Sequence, residues 1–293
     1  MVARAALVAL LLSFSAPSFA AIKLVGADQH SLSLSRPATR IVTLAPDLTE
    51  LVYDAGAGDA LVGVSAYSDY PAAARGLPRI GDAFRFDLER IVALRPDLIL
   101  AWRGGTSVPM IARLRALKLP VLVIGTRTFN DIAANLELIG RASGHERQAR
   151  DAAQAFLAGL QKLRSTYSNG RPVRVFYEIS NQPLYTVGGR QVISRMIDLC
   201  GGHNIYHALK PLAAAVSLET TLARDPQAIV TGGDPGAGAR LRAWRRWPEL
   251  SAVKTGSLFS IDGDLLARAT SRMLEGGQEL CRDLAVTRKR LKQ

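Results

Sequence analysis

A helix, a proline and a strand occur in that order twice in this chain, and no other feature limits its fold more. DLERIVALRPDLIL starts at Asp87 and SLETTLARDPQAIV starts at Ser217; in each, a glutamate (Glu89, Glu219) stands seven residues before the proline (Pro96, Pro226). Proline lacks an N–H and disfavours helix in the residue before it, so the helix must stop there. The apolar run that follows reads as a buried strand. One such unit is common in α/β proteins, but two further echoes keep the same order. RIVTL from Arg40 answers RVFYE from Arg174, and ELVYDAGAGDALVGV answers RMIDLCGGHNIYHAL, each a helix ending in glycines. Three echoes in series imply a duplicated α/β unit.

Short apolar strands alternating with helices predict parallel sheets covered on both faces. RIVTLAP reads as a strand ending at Pro46, DLTELVYDAGAG as a helix capped by Asp47 or Thr49, and Asp87 starts the next helix. Between the copies, HERQARDAAQAFLAGLQKLRSTY is broken only by Gly159 and predicts a helix of about 30 Å, long enough to join two lobes. The expected fold is α/β: two similar Rossmann-like lobes with mainly parallel sheets, joined by one long α-helix. The expected boundaries are 1–20 for a signal peptide, 21–38 for an arm or β-hairpin, 39–143 for the first lobe, 144–168 for the connecting helix and 169–293 for the second lobe.

In MVARAALVALLLSFSAPSFA, Arg4 precedes an apolar run from Ala5 to Phe14, and Ser18 and Ala20 supply small residues before a cut at about Ala20. That is the pattern of a secretory signal peptide. A membrane anchor needs about 20 apolar residues, and this run is shorter. The expected location is therefore the periplasm, as a soluble protein. Export places the only two cysteines, Cys200 and Cys281, where thiols oxidise, and predicts a disulfide between them. Two buried free thiols are the alternative. The formal charge of +12 comes with only 6% aromatics, a poor match to nucleic-acid binding. Arg240, Arg242, Arg245, Arg246 and the tail RKRLK read as solvated surface.

Catalytic constellations are sparse. The chain has no G-x-S-x-G elbow, P-loop, C-x-x-C or H-E-x-x-H, and GGDPGAG from Gly232 lacks the lysine of a phosphate loop. His203 and His207 are four apart, but CGGHN has a loop composition, so a shared helix face for a metal is not expected; His30 and His145 stand alone. Aromatic and charged residues instead gather in segments that follow strands: Tyr67 and Tyr70 in SAYSDYP, Phe84 and Phe86 in GDAFRFD, Trp102 and Arg103 in AWRGG, Tyr185 in NQPLYTVGG, and Asp264 and Arg268 after LFSI. Ligands of open α/β sheets bind at that edge. A binding protein, not an enzyme, is the expectation.

SAYSDYP, LERIVALRPDLILAWRGG, LCGGHNI and RATSR together resemble the periplasmic substrate-binding proteins of ABC importers, and within them the cobalamin-binding branch. The resemblance runs from about Arg40 onward. It implies that Tyr67 and Trp102 meet a corrin ring from the first lobe, with Phe84 beside them, and that Tyr185, Asp264 and Arg268 face it from the second. It implies that Cys200 and Cys281 are bridged, and that Glu89 and Glu219 dock onto a permease dimer carrying its ATPase subunits. The ligand would be transported cobalamin or a related corrinoid, with no resident cofactor, no metal and a monomeric protein. Haem or a siderophore is the alternative ligand within the same fold, with Tyr67 or Tyr70 on the iron of haem; a metalloenzyme built on His203 and His207 is the reading from another class. The chain departs from the branch at two tryptophan positions, where it has Ala83 and the run Ala213 to Ala215.

Overall fold

The computed structural model describes residues 21–292; the expected signal peptide lies outside the described residues. An antiparallel pair, β1 (Ile22–Val25) and β2 (Ser31–Leu34), forms the arm. The first lobe follows as β3 (Ile41–Thr43), α1 (Pro46–Asp54), β4 (Leu61–Val64), α2 (Leu88–Ala93), β5 (Leu98–Trp102), α3 (Val108–Ala116), β6 (Val121–Ile124) and α4 (Phe129–Ser143). Its sheet runs β4-β3-β5-β6 and is parallel throughout. Strands buried on both faces read as unbroken apolar runs, as VLVI in β6 does. Pro46 does not end a strand but opens α1, with Ala45 before it and no side-chain cap. The missing N–H is harmless there, because the first amides of a helix have no intrahelical partner. Asp87 caps α2 as expected, accepting from the Arg90 amide at 2.9 Å.

Between the lobes runs α5 (Glu146–Tyr167), whose 22 residues span about 33 Å. Its buried residues Ala149, Ala153, Phe156, Leu160 and Leu163 repeat every three or four positions, giving one continuous apolar stripe. Gly159 lies where α5 meets a later helix: a β-carbon there would sit 2.7 Å from Leu274. The small residue leaves room for the Leu274 side chain, and the helix runs through it without a break.

The second lobe comprises β7 (Val173–Asn181), β8 (Leu184–Val187), α6 (Val192–Leu199), β9 (Gly202–Asn204), β10 (Ala213–Ala215), α7 (Leu218–Ala223), β11 (Ala228–Gly232), α8 (Ala237–Trp244), α9 (Ser251–Lys254), β12 (Leu258–Ile261), α10 (Gly263–Ala267) and α11 (Met273–Arg290). Its parallel strands run β9-β7-β11-β12, the first lobe's order again. Here the sheet is mixed, because β8 pairs antiparallel with β7 and with β10. NQP between two β-rich runs makes that hairpin.

The duplication reaches individual hydrogen bonds. Arg40, entering β3, donates from Nη2 to the Leu94 carbonyl at 2.8 Å; Arg174, in β7, donates from Nη2 to the Asp225 carbonyl at 2.7 Å. Arg95 and Asp225, each just before the proline, both take positive φ, +46° and +42°. Asp97 and Gln227, each just after it, accept from the backbone amides of Arg40 and Arg174.

Cys200 ends α6 and is bonded to Cys281 of α11, both fully buried. The bridge closes a separation of 81 residues, for which chain entropy gives about 4.5 kcal/mol. Arg240 is not solvated surface as the sequence suggested. Its side chain is 11% exposed and pairs with Asp234 at 2.8 Å, because the loop before α8 folds back over it.

Candidate functional site

Parallel strands end at a common edge, and the edges of the two lobes face each other across a cavity of about 430 Å³. Trp102 at the end of β5 and Gly104 line it from the first lobe; the second contributes Tyr177, Ile179, Val187, Gln191, Ile193, Leu212, Ala213, Gly232, Gly263 and Ala267. Trp102 and Gly232 occupy matching ends of β5 and β11. The indole is held by its own loop: the Trp102 amide donates to Thr106 Oγ1 at 3.1 Å, and β-carbons at Gly104 and Gly105 would lie 2.6 and 2.2 Å from the ring. Only glycine lets the backbone fold this closely over it.

Beside the cavity the lobes are joined by a buried polar network. Glu50 of α1, 1% exposed, accepts from Arg268 Nη1 at 2.8 Å, from Arg272 Nη1 at 3.3 Å and from Thr270 Oγ1 at 3.0 Å. Arg268 also reaches Asp69 at 3.1 Å, Asp264 at 2.8 Å and the Tyr67 carbonyl at 3.2 Å. Ser271 donates to Asp54 at 2.7 Å, and the Arg272 guanidinium lies 3.7 Å from the centre of the Tyr70 ring. Burial alone would depress the Arg268 pKa, but Glu50, Asp69 and Asp264 outweigh it and hold the guanidinium charged. Burial would likewise raise Asp69, yet the bond and charge of Arg268 bring it below the usual value. Burial raises Asp264 and Asp54, and takes Asp47 up to about 6.

Of the candidate ligand-binding residues singled out from sequence, Trp102 alone is among the described residues that line the cavity. Tyr185 sits on β8 two residues from Val187 and thus shares its face, opposite Ala215, at the rim. Tyr67 is 75% exposed, with its carbonyl committed to Arg268. Arg268 and Asp264 belong first to the network between the lobes. Phe84 is 99% exposed in a turn where Asp82 accepts from its amide, and it does not line the cavity. The Ala213 position does line it, as a small wall.

His203 lies in strand β9 and His207 in the turn after it, ring centres 5.7 Å apart, so they share no helix face. Among the described residues, no group of three His, Cys, Asp or Glu side chains is placed to hold a metal ion. The sequence reading missed Glu50, Asp54, Asp69 and Arg272 as members of the network. A glutamate between Leu48 and Leu51 on an apolar helix was the available signal.

Glu89 and Glu219 are exposed in the first turns of α2 and α7, two matching helices capped by Asp87 and Ser217. Each helix leads into the next parallel strand, α2 into β5 and α7 into β11.

The family model described as periplasmic binding protein matches residues 41–265. The chain belongs to the periplasmic binding protein family. A vitamin B12-binding protein of Vibrio cholerae serotype O1 is 37% identical over 254 residues, 86% of this chain and 91% of that protein. The crystal structure of the periplasmic vitamin B12 binding protein BtuF of Vibrio cholerae superposes with a TM-score of 0.80 at 38% identity, covering 86% of this chain and 99% of that one. The periplasmic haem binding protein HutB of Vibrio cholerae shares the fold at a TM-score of 0.74 and 22% identity, covering 84% and 98%. The two-lobed architecture is thus that of periplasmic binding proteins, and among the described residues no helix is long and apolar enough to cross a membrane.

Proposed function

We propose that this chain captures cobalamin or a related corrinoid between its lobes and delivers it to an ABC transporter permease dimer with its ATPase subunits. The observation that carries the reading is the apolar cavity between the lobes, with Trp102 against the β8–β10 wall, in a chain 37% identical to a vitamin B12-binding protein. Such a wall suits the apolar face of a large ring whose polar groups stand at its rim. The protein acts as a monomer in the periplasm after cleavage at about Ala20, and as a carrier without catalysis. Residues 39–143 and 169–293 are the two lobes, 21–38 the arm and 144–168 the connecting segment. Tyr67, Trp102 and Tyr185 contact the ligand, while Arg268 and Asp264 serve it indirectly by setting the spacing of the lobes. Phe84 is free to fold over a bound ligand. A packed helix between the lobes favours modest closure over a wide hinge. Glu89 and Glu219 dock one to each half of the permease.

Calorimetric titration with cyanocobalamin, cobinamide, haem and a ferric siderophore tests the reading. One corrinoid per chain is expected. Corrinoid silence with a Soret band on adding haem, lost in Tyr67→Phe, would replace the corrinoid with haem.

A further inference from the structure

Three arginines, Arg103, Arg127 and Arg195, sit on neighbouring segments beside the cavity and form no ion pair among the described residues. Arg103 follows Trp102, is exposed, and spends Nη1 on the Ala27 carbonyl at 2.8 Å. Arg127, also exposed, lies on the loop after β6, and its backbone amide donates to Asp131 at 2.8 Å. Arg195 of α6 crosses from the second lobe and donates from Nε to the Arg127 carbonyl at 2.8 Å. The loops are in contact, since a β-carbon at Gly125 would lie 3.4 Å from Cδ of Arg103. Their neighbours Trp102, Gln191 and Ile193 line the cavity.

Among the described residues, none of the three forms an ion pair. Asp131 is committed to the backbone amides of Arg127 and Thr128. Asp198 on α6 is the nearby acid; burial raises its pKa against the charges of His207, His203 and Arg195, and it forms no ion pair with Arg195. Across the cleft, Arg268 pairs with Glu50, Asp69 and Asp264, and Arg272 pairs with Glu50. The two edges thus differ in kind, one neutralised and one cationic.

We propose that Arg103, Arg127 and Arg195 receive the acidic group of the ligand, so that the cleft selects a corrinoid carrying its phosphodiester over one lacking it. This rests on the corrinoid reading above. A guanidinium offers five N–H donors in a plane, and Arg103 and Arg195 each spend only one on a carbonyl. The remaining donors match phosphate oxygens, and hydrogen bonds between charged groups are about twice as strong as neutral ones. The apolar wall takes the ring, and the arginine edge takes the charge.

The test is calorimetric titration of the mature protein and of an Arg103→Gln, Arg127→Gln, Arg195→Gln triple variant. The probes are cyanocobalamin, which has the phosphodiester, and dicyanocobinamide, which does not, each at low and at physiological salt. The wild type should favour cyanocobalamin by about tenfold or more at low salt, which corresponds to about 1.4 kcal/mol, and the ratio should shrink as salt screens it. In the variant the ratio should fall toward one, with an unchanged melting temperature showing that it is folded. If both corrinoids bind and the ratio is the same in wild type and variant, the receptor is wrong and the corrinoid reading stands. If neither corrinoid binds the wild type, the corrinoid reading fails and takes the receptor with it.

Discussion

The two lobes share a frame and differ in what they hang on it. β4-β3-β5-β6 and β9-β7-β11-β12 have the same order and direction, and the same arginine-to-carbonyl contacts fix the loop before each proline. Only the second lobe adds β8 and β10, and these strands build much of the cavity wall. Only the first offers a tryptophan at the matching strand end, where the second has Gly232. A frame kept twofold is what the proposed permease dimer would read. A wall that breaks the symmetry is what an asymmetric ligand requires.

If that division holds, reversing charge on the frame disrupts delivery alone. Glu89→Arg with Glu219→Arg should abolish ligand uptake by cells while leaving affinity for cyanocobalamin unchanged, and each single reversal should reduce uptake to a similar degree. Strongly unequal singles would mean that docking does not follow the duplicated frame.

Where the lobes meet, symmetry gives way to a single carboxylate. Glu50→Ala removes the partner of two cations and should destabilise the fold by about 3–5 kcal/mol in urea unfolding. Small-angle scattering should show a larger radius, because Arg268, Thr270 and Arg272 reach Glu50 from the other lobe. A destabilised protein of unchanged radius would make Glu50 a core residue of the first lobe and not a tie between lobes.

The disulfide belongs to the second lobe alone. Cys200→Ser with Cys281→Ser should lower its stability by about 4 kcal/mol, and hydrogen exchange should rise in α6 and α11 before it rises in α1 or α4. On the wall, Trp102→Ala should weaken corrinoid binding about tenfold or more, the loss of an aromatic anchor. Ala213→Trp should strengthen it by restoring an indole face opposite.

Much of the frame was legible because it rests on local chemistry. Proline and glycine punctuate the strands, Asp87 and Ser217 cap matching helices, and the echo of Glu89 in Glu219 is visible without coordinates. The cysteine pairing followed from their number and the export signal, and the structure bears it out. The antiparallel hairpin was not legible, since short β-rich runs do not state their direction. Nor was the network around Glu50, whose members are separated by some 200 positions and meet only when the lobes pack. Arg268 was noticed as a charged residue after a strand, but three carboxylates occupy it.

Two carboxylates on the first lobe's side of the cleft should respond to pH with opposite sign. Packing raises Asp47 from 3.8 to about 6, so the folded state holds its proton more tightly than the unfolded chain does. Its favourable contribution is complete below pH 3.8 and is lost as pH rises through about 6. Asp69 is lowered: burial works against it, but Arg268 prevails. Its contribution is present at neutral pH and is lost as pH falls through its depressed value. Asp47→Asn should therefore melt higher than wild type at pH 7, by a degree or few on the scale of about 1 kcal/mol, and the difference should vanish well below pH 3.8. Asp69→Asn should melt lower at pH 7, with the difference closing on acidification. Thermal melts of both variants across this range read the signs directly, and parallel shifts in the two would mean that Arg268 does not divide the carboxylates of this edge.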